Sequence, residues 1–423
     1  MSRQDYMPSS VLPLAYFAFA HIGLLTAFLA LMLDPGLPGG YFLHPRMVAL
    51  VHLVTVAWIS GSILGAFYIV APLALGMPLP VSGRDWIAGG AFALGTMALV
   101  AAFWFGHYGA VAWGGLFVLS AIAWLGVRAA RGLRVATAPG PVLLHVMLAF
   151  ANIALAAVLG GAIGLDRAYG VFRWSVVSAT FAHAHLAAVG WPMMMVVGLA
   201  YRLVPMFLPA RMPTGRRLAL SAALLQSGLS VTVVAQLTGS RLLPAGALLL
   251  VLGFTAFMSN IRAAVKHRLP RPPALPARDW STWQTHVAIV WLCVAVGLGG
   301  ALTMMPAGPW QIAAAWVYGV AGLVGFLAQV VVGIQGRLVP LYAYYRAMAA
   351  RDGQPPVRAA NQLPTPRFAR PIFLLWTLGV PWLAWGLAVQ DGFSVRAAAG
   401  CLFLGVVVGA AYLAYLMRAA RTA

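Results

Sequence analysis

Two histidines in this chain stand at the head of the same series of residues. His52 is followed by Trp58, Gly65, Tyr68 and Pro72 at +6, +13, +16 and +20, and His185 by Trp191, Gly198, Tyr201 and Pro205 at the same offsets. An imidazole carried inside so apolar a stretch is a candidate metal or cofactor ligand, because neutral imidazole binds soft and borderline metals and polar side chains are rare in apolar helices without a task. A third stretch keeps only the back half of the series. G-x-x-x-R-L-V-P at 198–205 recurs at 333–340, which puts Val320 where the other copies have histidine. The three positions are 133 and 135 residues apart, so the chain reads as three internal repeats, approximately 1–138, 139–278 and 279–423, within one domain.

His183 precedes His185 in an H-x-H pair. Residues i and i+2 of an α-helix point about 200° apart, so the two imidazoles serve different sides rather than one ion. His52 lies six residues after Arg46, about 9 Å along a helix rising 1.5 Å per residue. His52, His183 and His185 are therefore expected at one depth, as a ligand set. His21, ten residues into the first apolar stretch, is open to ligation or to packing. His107, in the turn Gly106-His-Tyr-Gly109, is within reach of a cofactor at the same depth or serves as a cap. His44 reads as a loop residue and His267 as a solvated one. His145 and His286 occupy similar places near the start of two stretches, which would mark either a second site or structural use. Met193–Met195 and Met304–Met305 read as packing residues, and Cys293 and Cys401, without CxxC spacing, as core residues. Arg202 and Arg337 of the two R-L-V-P segments are expected to anchor helix ends by snorkelling.

The elements that must position these side chains are helices. With 62% hydrophobic and 8% charged residues and a mean hydropathy of +0.89, the composition excludes a soluble globular protein. Apolar stretches near 11–33, 46–72, 87–106, 108–127, 141–165, 176–208, 218–238, 242–261, 282–304, 310–340, 371–389 and 395–417 predict twelve spans, four per repeat. The fold class is thus all-α integral membrane, with three pseudo-symmetric four-helix arcs. If the N-terminus is inside, only Arg46, Arg167, Arg173, Arg241 and Arg396 of the basic residues lie outside, which predicts a bacterial-type cytoplasmic membrane with both termini cytoplasmic. No cleavable signal is apparent. The net charge of +20 is then topological, meeting anionic membrane lipid rather than nucleic acid. All seven acidic residues are aspartates, expected in loops or tails, so a proton-coupled transporter would lack its usual buried carboxylate.

These residues resemble, at a distance, subunit I of the haem–copper oxidases, particularly the branch near the nitric oxide reductases. His52, with Arg46 before it and G-x-x-Y-x-x-x-P after it, is similar to that family's second-helix motif. Phe181-Ala-His-Ala-His-Leu-Ala-Ala-Val-Gly-Trp191 is similar to its H-x-H helix. The chain is also similar to the twelve-helix haem and copper proteins of the nitric-oxide stress response. The resemblance implies twelve helices in three arcs, one or two b-type haems ligated by His52, His183 and His185, and copper as a second metal. His52 with His183 is the more natural axial pair if the shared direction of His52 and His185 runs from the first repeat to the second. Outer Arg46, Arg173 and Arg167 would neutralise haem propionates. Two features depart from the family: the H-x-H falls in the second repeat, and spans seven and eight contain no histidine for a three-imidazole copper site. The expected function is electron transfer, or binding and possible reduction of NO or O2, with CO as a further gas ligand and a cytochrome or quinol as electron donor, without proton pumping. The alternatives from other classes are a copper or haem export protein and a histidine-based secondary transporter.

Overall fold

The structure is a computed structural model describing residues 11–39, 41–270, 279–306, 308–349, 351 and 366–422. Its elements are helical because apolar runs of twenty or more residues, rich in Ala, Leu and Val, keep their backbone donors and acceptors paired within the segment. This is the arrangement an apolar solvent requires. Among the described residues twelve helices are long and apolar enough to cross a membrane: α1 (Leu12–Leu33), α2 (Pro45–Ala74), α3 (Gly83–Trp104), α4 (Tyr108–Gly132), α5 (Gly140–Tyr169), α6 (Val176–Phe207), α7 (Arg216–Thr238), α8 (Leu243–Lys266), α9 (Trp280–Met304), α10 (Trp310–Ala349), α11 (Arg367–Ala388) and α12 (Gly392–Arg418). Each coincides with one of the twelve apolar stretches. Among the described residues the one β-type pairing is a single bridge, Ala210 with Arg268.

By contact, the chain divides into two compact units, Val70–Arg271 and Met7–Ile69 with Pro272–Ala423. In the first, α3 packs on α4, α4 on α5, α5 on α6, and α7 on α8. In the second, α1 packs on α2 and α12, α9 on α10, and α11 on α12.

The repeat reappears in how the first two helices of each copy cross. A Cβ on Gly65 would meet Tyr16 Cβ at 2.9 Å, one on Gly198 would meet His145 Cβ at 2.5 Å, and one on Gly333 would meet Thr285 Oγ1 at 2.5 Å. A second contact accompanies each of the first two: Gly23 faces Ala57, and Gly190 faces Asn152. Tyr16 and Gly23 each stand 129 residues before His145 and Asn152, while Ala57 and Gly65 each stand 133 before Gly190 and Gly198. The α1–α2 and α5–α6 crossings thus use the same pairs of positions. Small residues there let the backbones approach closely, which matters because lipid gives apolar helices little reason to associate beyond packing and hydrogen bonding. The +6 aromatics, Trp58, Trp191 and Phe326, are all buried.

Asp85 and Asp166 are not loop residues as expected. α3 begins at Gly83, which puts Asp85 in its first turn, fully buried. There it accepts from Ser82 N–H and Oγ–H (2.6 Å each) and Trp124 Nε1 (3.0 Å), and pairs with Arg128, which also donates to the Pro80 carbonyl at 2.6 Å. Asp166, in the last turn of α5, accepts from the N–H groups of Phe172, Arg173 and Trp174. Both lie at helix ends. Asp391 precedes α12 and accepts from the N–H groups of Phe393 and Ser394. Hydrogen bonds from Ser394, then Phe393, hold its carboxyl below the usual carboxylate range. Asp5 and Asp352 lie outside the described residues.

Candidate functional site

Each copy of the repeat contains a stretch of π-helix just after the histidine position. Leu53–Ser60 follows His52 directly, Val189–Met193 begins four residues after His185, and Val320–Ala328 starts at Val320 itself. In a π turn the N–H reaches back five residues instead of four, a geometry that is rare and frequently found at functional sites. Side-chain donors hold carbonyls in all three: Ser60 Oγ donates to Thr55 O (2.9 Å), Asn152 Nδ2 to Gly190 O (3.1 Å), and Trp58 Nε1 to Ala328 O (3.3 Å). Asn152 and Gln226 also exchange a reciprocal pair of amide bonds at 2.8 and 3.1 Å.

The three principal histidines share one chemical feature. His52 Nδ1 bonds the Val48 carbonyl (2.8 Å), His185 Nδ1 the Phe181 carbonyl (2.8 Å), and His183 Nδ1 the Ala156 carbonyl on α5 (2.9 Å). A carbonyl only accepts, so Nδ1 carries the proton and, in the neutral ring, Nε2 carries the lone pair. That tautomer and a fixed ring plane are what a histidine ligand needs from its surroundings. The H-x-H pair separates as helical geometry demands, His183 lying against α5 and His185 bonding its own helix. Gly160 makes room for His183: a Cβ there would lie 2.7 Å from the ring's Cε1. All three histidines are half-buried.

His21 is buried, its Nδ1 on the Phe17 carbonyl at 2.7 Å and its ring edge-on to Trp58 at 5.0 Å between centroids. His107 is exposed at the N-cap of α4, where its side chain makes no capping bond. Arg46 is exposed in the first turn of α2. Arg167 lies over the Tyr108 ring at 4.7 Å and donates to its hydroxyl at 3.2 Å. Arg173 is exposed with φ +56, its backbone N–H on Asp166.

Several expectations are corrected. His145 and His286 are not equivalent: the residue in the place of His145 is Thr285, judged by the Gly198 and Gly333 contacts. His286, one residue on, is turned outward and exposed, as a step of about 100° around the helix requires. His145 is fully buried and bonded through Nδ1 to the Pro141 carbonyl (2.7 Å) and through Nε2 to Ser221 Oγ (3.1 Å), with Tyr201 and Asn260 continuing the chain. Cys293 is exposed on α9 rather than in the core, while Cys401 is half-buried with Sγ–H directed at the Leu375 carbonyl. Arg202 donates to the Ala74 carbonyl at 2.8 Å, and Arg337 pairs with Asp279. Met193–Met195 are buried.

Sequence reasoning did not connect Gly160 with His183, and it passed over Asn152 and Gln226. Polar amides inside an apolar run were the available signal. Among the described residues no three His, Cys, Asp or Glu side chains converge as a metal site. No protein-family model matches this chain, and no curated protein matches it either.

Proposed function

We propose that this chain is a haem b membrane protein of the haem–copper oxidase subunit I type, transferring electrons and binding, or reducing, NO or O2. The observation that carries this reading is the common state of His52, His183 and His185: Nδ1–H pinned on a backbone carbonyl, with the lone pair on Nε2. Each of those side chains is a candidate ligand of haem iron, and the haem would supply one-electron chemistry and a coordination position for a diatomic gas. The chain's part is to fix the imidazole planes, exclude water with apolar helices and place cationic side chains for the propionates. Arg46, Arg167 and Arg173 are the proposed partners. His21 and His107 are set aside as iron ligands, the first for its place beside Trp58, the second for its exposure.

In this reading the helices cross a cytoplasmic membrane with both termini on the cytoplasmic side, and the three repeats form pseudo-symmetric four-helix arcs. The matched helix crossings support the arcs. A cytochrome or quinol supplies electrons. Asp85 and Asp166 lie at helix ends, so no described carboxylate is available at mid-span to load protons, and gas binding without proton pumping is the expected behaviour.

The test is a reduced-minus-oxidised spectrum of the purified full chain with iron and copper analysis. A Soret band, a b-type α band and stoichiometric iron are expected, with the low-spin signal lost in His52→Ala and His183→Ala. A colourless protein, with or without copper, overturns the reading.

A further inference from the structure

The unit formed by Met7–Ile69 and Pro272–Ala423 contains a partly open cavity of about 50 Å³. Its polar lining includes His21, Ser281, Gln284, Gln335 and Tyr412, and its aromatic walls include Trp58. None of the lining residues is Asp, Glu, Lys or Arg. Gln335 is engaged, Nε2 donating to Ser62 Oγ at 3.1 Å. Gln284 is not: it is only 2% exposed, and neither Oε1 nor Nε2 has a hydrogen-bond partner. His21 turns the other way chemically, because donation from Nδ1 to Phe17 leaves an acceptor at Nε2.

A buried amide without partners destabilises by about 1–3 kcal/mol for each unsatisfied group. Apolar cavities of this kind stay dry, whereas a polar one takes up water once each molecule finds two to four partners and about 10–15 Å³ of room. The volume therefore accommodates about three to five water molecules. The absence of formal charge on the wall rules against a small ion, which would be desolvated without compensation. We propose that this cavity is a hydrated site in which a small cluster of water molecules bonds both ends of the Gln284 amide and donates to His21 Nε2. His21 is then a water-bonded, proton-exchanging imidazole rather than a ligand of iron, and the site stands whether or not the chain binds haem.

Pulsed radiolytic footprinting of the full chain in nanodiscs tests this, since hydroxyl radicals formed from buried water oxidise the side chains beside it. Trp58 and Trp191 form an internal pair: they hold the same place in two repeats and are 2% and 1% exposed, but only Trp58 lines the cavity. Trp58 should be oxidised several-fold faster than Trp191. Gln284→Leu, which keeps the volume and removes the amide, should lower the Trp58 rate several-fold. Equal rates at the two tryptophans overturn the proposal, as does an unchanged Trp58 rate in Gln284→Leu. If that variant does not fold, the comparison of the two tryptophans in the parent protein decides alone.

Discussion

Replacing Gly160 with alanine perturbs His183 from outside the H-x-H helix. The new Cβ would lie 2.7 Å from Cε1, 3.1 Å from Nδ1 and 3.5 Å from Nε2 of the ring. Carbon atoms in contact prefer about 3.5–4.0 Å, so the ring must withdraw by roughly 1 Å. The Nδ1–Ala156 bond, now 2.9 Å, then stretches past about 3.5 Å and is lost. Loss of a partner that orients a metal-ligating histidine lowers metal affinity about 10–100-fold, or about 1.4–2.8 kcal/mol. Gly161→Ala is the matched control, because its Cβ would meet only Ala112 Cα at 4.0 Å. Both variants gain about 0.5–1 kcal/mol of helix propensity, which cancels between them. Haem retention on dilution, measured by pyridine haemochrome and by the low-spin absorption, should fall in Gly160→Ala and match the parent in Gly161→Ala. Parental retention and spectrum in Gly160→Ala would show that the Ala156 bond does not support a ligand.

Gly198→Ala should lower the melting temperature in detergent, because the clash at 2.5 Å is with His145 Cβ, which cannot rotate away; overpacking of this kind destabilises by about 1–3 kcal/mol, whereas Gly297→Ala, with nothing nearby, should be neutral or stabilising. Asn152→Leu leaves Gly190 O and the Gln226 amide without that donor and acceptor and should destabilise by about 1–3 kcal/mol, read as a shift in thermal unfolding; an unchanged midpoint would refute the capping role. The depressed carboxyl of Asp391 contributes stability that is present above its unfolded-state titration and lost as pH falls through the lower, folded-state one. Asp391→Ala should therefore reduce stability at neutral pH and flatten the acid limb of an unfolding series, and parallel acid limbs would contradict this.

The twelve helices were legible because length and apolarity alone select them, and the repeat was legible because glycine and tryptophan recur at fixed offsets. What hydropathy does not separate is a residue facing other helices from one facing lipid. Cys293 is as apolar as a core residue and is nonetheless exposed. The pairing of His145 with His286 failed because sequence position along a span fixes depth only coarsely, and one residue of error turns a side chain by about 100°. The π segments left no pattern in residue types, since their backbone angles stay close to those of an α-helix. His52, His183 and His185 were found by type and spacing, but the carbonyls that orient them were not, and for His183 the carbonyl belongs to a helix earlier in the chain.

The three π segments also bear on how this chain can change length. Deleting one residue from a regular α-helix swings every later side chain by about 100° relative to the earlier ones, which would turn the repeat glycines away from the helices they touch. A π turn already holds an extra residue, so a deletion there relaxes the turn to α geometry and leaves both flanks aimed as before. Residues 53–60, 189–193 and 320–328 are thus the places where a span can lose a residue and still bring Gly65, Gly198 and Gly333 against their neighbours. In a chain made of repeats, such joints let the copies drift apart in length while the crossings stay in register.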